Sequence, residues 1–280
     1  MIIDYIKARQ AFQQIAELDE TAFPLDRAAL DLCLDDYPEL DIRQYLYRLD
    51  TLAARVEVLT GKDRRAVNFI SSINTVLFVQ EGLRGNVEDY FDPRNSFLNE
   101  VLDRRLGIPI SLSVVYMEVA RRIGFPVVGI GFPGHFLVKH VDEGNDIIID
   151  AFNGGRVLTM NECRELMDKI HDGALEMNDS FFQPMAKRAI VTRMLYNLKG
   201  IYMEKENHFK ALTVIEKILM LNPGTPSEIR DRGLLYMQTG LFARALADLE
   251  TYLTRVRAPE DLSSIQSSIS TLRGIVSTTN

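Results

Sequence analysis

The reactive side chains of this sequence are few: four histidines and two cysteines. His140, His171 and His208 fit no metal-ligand spacing with one another. Cys33 and Cys163 each fall in a helical segment, which argues against a disulfide framework and a cysteine-rich metal site and leaves two buried or half-buried free thiols. No cofactor is expected. His135 stands in an extended apolar run beside Phe136 and Val138, where it is either a hydrogen-bonded core histidine or a general base. Asp150 closes another such run. Asn95, Asn99, Arg104 and Arg105 gather just before a helix that starts at Pro109. They serve either as caps and solvated charge or as the polar rim of a pocket over His135, suited to an anionic or peptide-like ligand.

These residues need elements to position them. From Ile2 to about Gly85 the apolar residues recur every three or four positions, as in Ile42, Tyr45, Leu46, Leu49, Leu52, Ala53 and Val56. Turn signals at Pro24, Pro38 and Gly61 divide this stretch into about four helices, the last from near Asp63 to Glu81. A further helix, capped by Asn95 or Ser96, runs through Asn99, Leu102 and Leu106 and ends at Gly107. The next begins at Pro109, where an absent N–H is best tolerated, and stops at Gly124-Phe125-Pro126. The pattern then becomes extended. Strands are predicted over Val127 to Ile130, His135 to Val141 and Ile147 to Phe152, turning at Pro133-Gly134 and at Asp142-Glu143-Gly144-Asn145. Arg156 to Thr159 adds a fourth strand, and Asn161 is the expected cap of a short helix containing Cys163.

From Ala186 onward the chain is helical again, with an internal period of 34 residues. Tyr202 and Tyr236, Ala211 and Ala245, and Leu212 and Leu246 are each separated by that interval, which is the spacing of a tetratricopeptide helix-turn-helix unit. Leu195, Leu198, Ile215, Ile218 and Pro223 fill the remaining packing positions of the first unit, and Gly233 and Leu249 those of the second.

The run Gly107-Ile108-Pro109, a helix ending at Ala120-Arg121-Arg122-Ile123-Gly124-Phe125-Pro126, a strand, His135 and then Asp150 resembles the core of the transglutaminase-like cysteine proteases, over about residues 95 to 160. Asp92-Pro93-Arg94-Asn95-Ser96-Phe97-Leu98-Asn99, Arg104-Arg105-Leu106-Gly107-Ile108-Pro109-Ile110-Ser111 and Phe132-Pro133-Gly134-His135-Phe136-Leu137, followed by tetratricopeptide units, resemble the bacterial SirB-one family more closely, over nearly the whole chain. The resemblance implies an α+β fold: a helical front, a papain-like helix with an antiparallel sheet, then an all-α tail. It also implies a helix-start nucleophile with His135 as its base and Asp150 as the orienter.

In the parental family that nucleophile is a cysteine whose thiolate is stabilised by the helix dipole. Here the matching position, aligned through Gly124, is Pro109, which has no side-chain heteroatom. Ser111 lies roughly 200° around the helix from position 109, and Ser113 returns to that face about 6 Å further along the axis. A two-residue shift of register would bring Ser111 to the helix start; use of Cys163 would need a rearranged order of site residues.

Two readings follow. In the first, the core is a pseudoenzyme that binds without turnover and the tail presents a concave surface to a protein or peptide partner. In the second, the protein is a hydrolase or acyltransferase with Ser111 as displaced nucleophile and His135 and Asp150 as its base pair. The net charge of −7 is concentrated within residues 1–50, where eleven Asp/Glu face five Lys/Arg. No basic footprint for nucleic acid is present. Neither a signal-peptide core nor a membrane-spanning apolar run is visible, so a cytosolic, bacterial-type protein is expected, with no membrane partner. The tail also allows a homodimer. The expected division is 1–180, the helical front and core as one composite domain, and 186–280, the repeats.

Overall fold

The computed structural model describes residues 2–142 and 146–279. The predicted turn through Glu143-Gly144-Asn145 lies outside them. The chain divides into two compact units, residues 1–194 and 195–280.

Four helices build the front of the first unit: α1 (Ile2–Ala16), α2 (Leu25–Asp31), α3 (Ile42–Thr60) and α4 (Ala66–Asn74), the last continued to Gln80 by π-type turns. α2, α3 and α4 pack around α6 (Pro109–Arg122), whose residues from Pro109 through Ala120 are all buried. A helix buried on every face belongs at the centre of a domain rather than on its surface. Its other side meets the sheet, β3 (Val127–Ile130), β4 (Leu137–His140), β5 (Ile147–Asp150) and β6 (Arg156–Leu158), antiparallel in that sequential order. Gly124, with φ +69°, turns the chain from α6 into β3, a conformation that glycine adopts without a Cβ clash.

Four local expectations are corrected. The helix before Pro109, α5 (Leu98–Arg104), ends at Arg105 in the left-handed region (φ 63°), not at Gly107. Leu106–Gly107 instead forms a short strand, β2, parallel to β1 (Arg84–Gly85). Asn95 and Ser96 do not cap α5; Phe97 holds that position without a side-chain bond, and Asn95 ends a 3-10 turn capped by Asp92. His135 is not on a strand: it lies in the bend that delivers the chain to β4. The helix containing Cys163, α7 (Met160–His171), is capped by Thr159 and Glu162 rather than by Asn161, the two closing a reciprocal capping box.

α8 (Lys187–Glu204) carries the boundary between the units. The second unit continues with α9 (His208–Leu221), α10 (Pro226–Gln238), α11 (Phe242–Arg255) and α12 (Leu262–Thr279), consecutive helices packed on their neighbours from α9 onward. The 34-residue pairs have a physical basis: Ala211 and Ala245 are fully buried, and Tyr202 and Tyr236 are nearly so. Small residues at those positions let adjacent helices approach closely. No helix among the described residues is long and apolar enough to cross a membrane.

Candidate functional site

The bend and the end of β5 bring His135 and Asp150 together. His135 Nε2 donates to Asp150 Oδ1 at 3.0 Å, and both residues are buried. The same carboxylate accepts from the backbone N–H groups of Phe152 and Asn153 and, at 2.7 Å on Oδ2, from the Asn153 side chain. Burial alone would raise the Asp150 pKa, but the hydrogen bonds from His135 and Asn153 outweigh it and hold the carboxyl below its ordinary value. Because Nε2 faces the carboxylate, the neutral ring carries its proton there and its lone pair on Nδ1, the form a general base needs.

The bend is fixed from behind. Arg193 Nη2 donates to the carbonyls of Phe132 (3.1 Å) and His135 (2.6 Å), and its guanidinium lies over the Phe136 ring. The Phe152 ring meets His135 edge-on with centroids 5.9 Å apart, and Tyr90 lies against the other part of Phe152 at 6.3 Å. Phe152 also covers Gly85, where any Cβ would collide with the ring. Asn74, at the end of α4, donates to the Gly155 carbonyl at 2.7 Å and so ties the turn after Asp150 to the helical front.

The remaining predicted residues form a second cluster. Ser111 is fully buried; its hydroxyl donates to the Asn95 carbonyl at 2.6 Å and accepts from the Ile108 N–H at 3.0 Å. Asn95, also fully buried, donates to the carbonyls of Asp89 and Tyr90 and accepts from the Asn86 side chain. Arg104 pairs with Asp92 at 3.2 Å, and Arg105 is exposed at the end of α5. Asn99 is buried with Oδ1 unpartnered. Among the described residues the hydrogen bonds and ring contacts of His135 are with Asp150, Phe152, Phe132 and Arg193, and none is with Asn95, Asn99, Arg104, Arg105 or Ser111.

Cys163 is fully buried among Ile130, Phe132, Leu137, Ile148, Leu158, Met167 and Phe182. Burial, with the charges of Glu162 and Asp150 adding to it, pushes the thiol up to about 11. Cys33 is likewise buried, and no group of three or more metal-ligating side chains is assembled among the described residues.

Sequence reasoning missed Asn153, Phe152, Tyr90 and Arg193. Asn153 had a local signal, three residues beyond Asp150 in a Gly-rich turn. Arg193 is 58 residues from His135 and had none.

Comparison with known proteins places this geometry. The sequence pattern of the transglutaminase-like superfamily matches residues 43–196, which include all of α6 and the sheet. The chain belongs to the transglutaminase-like superfamily. A tetratricopeptide repeat pattern matches residues 198–269. A UPF0162 protein of the bacterium Xylella fastidiosa strain Temecula1 is 39% identical over 250 residues, covering 86% of this chain and 87% of the relative. A UPF0162 protein of Vibrio cholerae is 29% identical over 241 residues, covering 85% and 88%. The mouse F-box only protein 21 is 36% identical over 140 residues, which are 47% of this chain and 21% of that protein. No solved structure matches. In this transglutaminase-like chain, His135 precedes β4 and Asp150 ends β5, both after α6.

Proposed function

We propose that the chain is a cytosolic transglutaminase-like pseudoenzyme of the SirB-one type, acting by binding, with its tetratricopeptide repeats as a contact surface for a protein partner. The observation that carries this reading is the Ser111 hydroxyl. It is fully buried and committed to the Asn95 carbonyl, so the residue best placed by sequence to replace a cysteine functions in holding a loop. Pro109, at the position that resemblance assigns to the nucleophile, opens α6 and brings no heteroatom. Cys163 is enclosed in apolar side chains, and that burial pushes its thiol pKa upward. His135 and Asp150 are thus a base and its orienter without a group to deprotonate, and Nδ1 is left to accept a hydrogen bond from a ligand.

The test uses serine- and cysteine-directed activity probes on the full chain and on Ser111→Ala, Cys163→Ala and His135→Ala, read by intact mass. No label that depends on His135 is the expected result. Labelling abolished by both Ser111→Ala and His135→Ala would instead establish a hydrolase or acyltransferase with Ser111 as nucleophile.

A further inference from the structure

Residues 86–92 combine two properties that seldom meet in one loop: a rigid backbone and exposed large apolar side chains. Val87 is 75% exposed, Phe91 62% and Tyr90 38%. A loop with such side chains and no partner would lower its free energy by folding them inward. This one is prevented from doing so. Asn86 N–H donates to the Gly107 carbonyl, Asp89 N–H to the Asn86 side chain, and Asp92 N–H to the Asp89 carbonyl. Asn95 then holds the carbonyls of Asp89 and Tyr90 from below, itself anchored by Asn86 and, through its own carbonyl, by Ser111. Buried polar groups that could have lined a pocket are spent on the shape of this loop.

The apolar surface is continuous with the histidine. Phe91 meets Tyr90 edge-on at 5.4 Å, Tyr90 meets Phe152 at 6.3 Å, and Phe152 meets His135 at 5.9 Å. Charge selects what lies on it. Glu88 and Asp89, between Val87 and Tyr90, are both exposed, and neither carboxylate forms an ion pair among the described residues. An occupant must therefore present apolar side chains to Val87, Tyr90 and Phe91 and cations to Glu88 and Asp89, and it must offer a hydrogen-bond donor to reach His135.

We propose that the loop 86–92 is a docking lip for an extended peptide segment of mixed apolar and basic side chains, whose backbone N–H reaches His135 Nδ1. The preorganised backbone removes the ordering cost that flexible loops incur on binding. The inference deepens the binding reading above and rests on it for the role of His135.

The experiment is selection of a phage-displayed library of random twelve-residue peptides on the full-length protein, followed by affinity measurement of enriched peptides on variants. Enriched peptides are expected to place aromatic or aliphatic residues beside Lys or Arg. Phe91→Ser is expected to weaken them at least tenfold, and Glu88→Gln combined with Asp89→Asn severalfold, more at low salt than at high. These three positions are exposed, so unchanged circular dichroism and melting establish that each variant is folded. Absence of enrichment, an acidic or uncharged consensus, or binding indifferent to Phe91→Ser would overturn the lip. The two readings fail separately. Peptides that need His135 but not Phe91 leave a binding site without the lip, whereas peptides that need Phe91 and are cleaved or acylated by the protein keep the lip and refute the pseudoenzyme.

Discussion

Asp150 accepts the Nε2 proton of His135 at 3.0 Å while three further donors, the Phe152 and Asn153 N–H groups and the Asn153 amide, converge on the same carboxylate. Replacement by alanine strands these donors in a buried site. Asp150→Ala is expected to cost about 2 to 4 kcal/mol, measured by urea unfolding at pH 7. The folded carboxyl lies below its ordinary value of 3.8. Its stabilisation is therefore complete above that value and is lost as pH falls through the folded pKa. The stability gap between wild type and Asp150→Asn should narrow as pH falls below the ordinary carboxylate value of 3.8. A gap that persisted undiminished at still lower pH would show that ionisation contributes nothing there.

Ser111 is hydrogen-bonded to the Ile108 N–H and the Asn95 carbonyl. Its replacement should appear in stability, and in the mobility of residues 86–92. Ser111→Ala is expected to cost about 1 to 2 kcal/mol, since it leaves the buried Ile108 N–H without its acceptor. Hydrogen exchange should quicken at Asp89 and Asp92 more than in β3 to β5. Loss of a chemical activity with unchanged stability would be the opposite pattern.

Ser111 also shows what sequence can and cannot convey. The start of the helix that carries it was read correctly, because Pro109, Gly124 and the apolar run between them are local signals. The order of His135 and Asp150 along the chain was equally legible. What the residues touch was not. Asn95 read either as a cap or as the rim of a pocket because an exposed amide and a buried amide have the same letter, and only the fold buries it beneath Asp89 and Tyr90. The bend that carries His135 was read as strand because Phe136 and Val138 extend the apolar alternation backward past its true start at Leu137. Arg193 was invisible for another reason: it acts on backbone carbonyls, and these leave no trace in side-chain patterns. The repeats were legible through small residues at a fixed interval, since Ala211 and Ala245 answer to the same steric requirement.

Gly154 and Gly155 share a left-handed backbone, with φ of +71° and +75°, but not a neighbourhood. Nothing lies near a Cβ at 154, whereas one at 155 would strike the Asn74 carboxamide. Gly154→Ala should cost about 1 to 2 kcal/mol of backbone strain alone. Gly155→Ala adds displacement of the Asn74 hydrogen bond to the Gly155 carbonyl, about 1 kcal/mol more at least. Because that turn also holds Asn153 against Asp150, its disturbance should shift the His135 ring resonances in an NMR spectrum, while Gly154→Ala leaves them in place.

Arg122 is a half-buried cation that joins α2, α3 and α6. It bonds Asp26 Oδ2 at 2.6 Å, Asp50 Oδ1 at 2.7 Å and Glu118 Oε2 at 2.8 Å. Asp26 and Glu118 respond oppositely to the shared site. Burial would raise both, but the bonds and charge of Arg122, with Arg121, hold Asp26 low. For Glu118, burial and the neighbouring Asp26 charge prevail and its pKa is raised. Glu118 therefore binds its proton more readily folded than unfolded, and stability from this group falls as pH rises through its folded value. Arg122→Ala leaves two buried carboxylates with only the half-exposed Arg121 between them, at an expected cost of about 3 to 5 kcal/mol at pH 7. Both carboxyls then move upward, so the variant should regain part of the loss as pH is lowered from 7 to 5. Urea titrations of wild type and variant at those two pH values decide it. A deficit that is the same at both would mean that water, and not the guanidinium, neutralises this cluster.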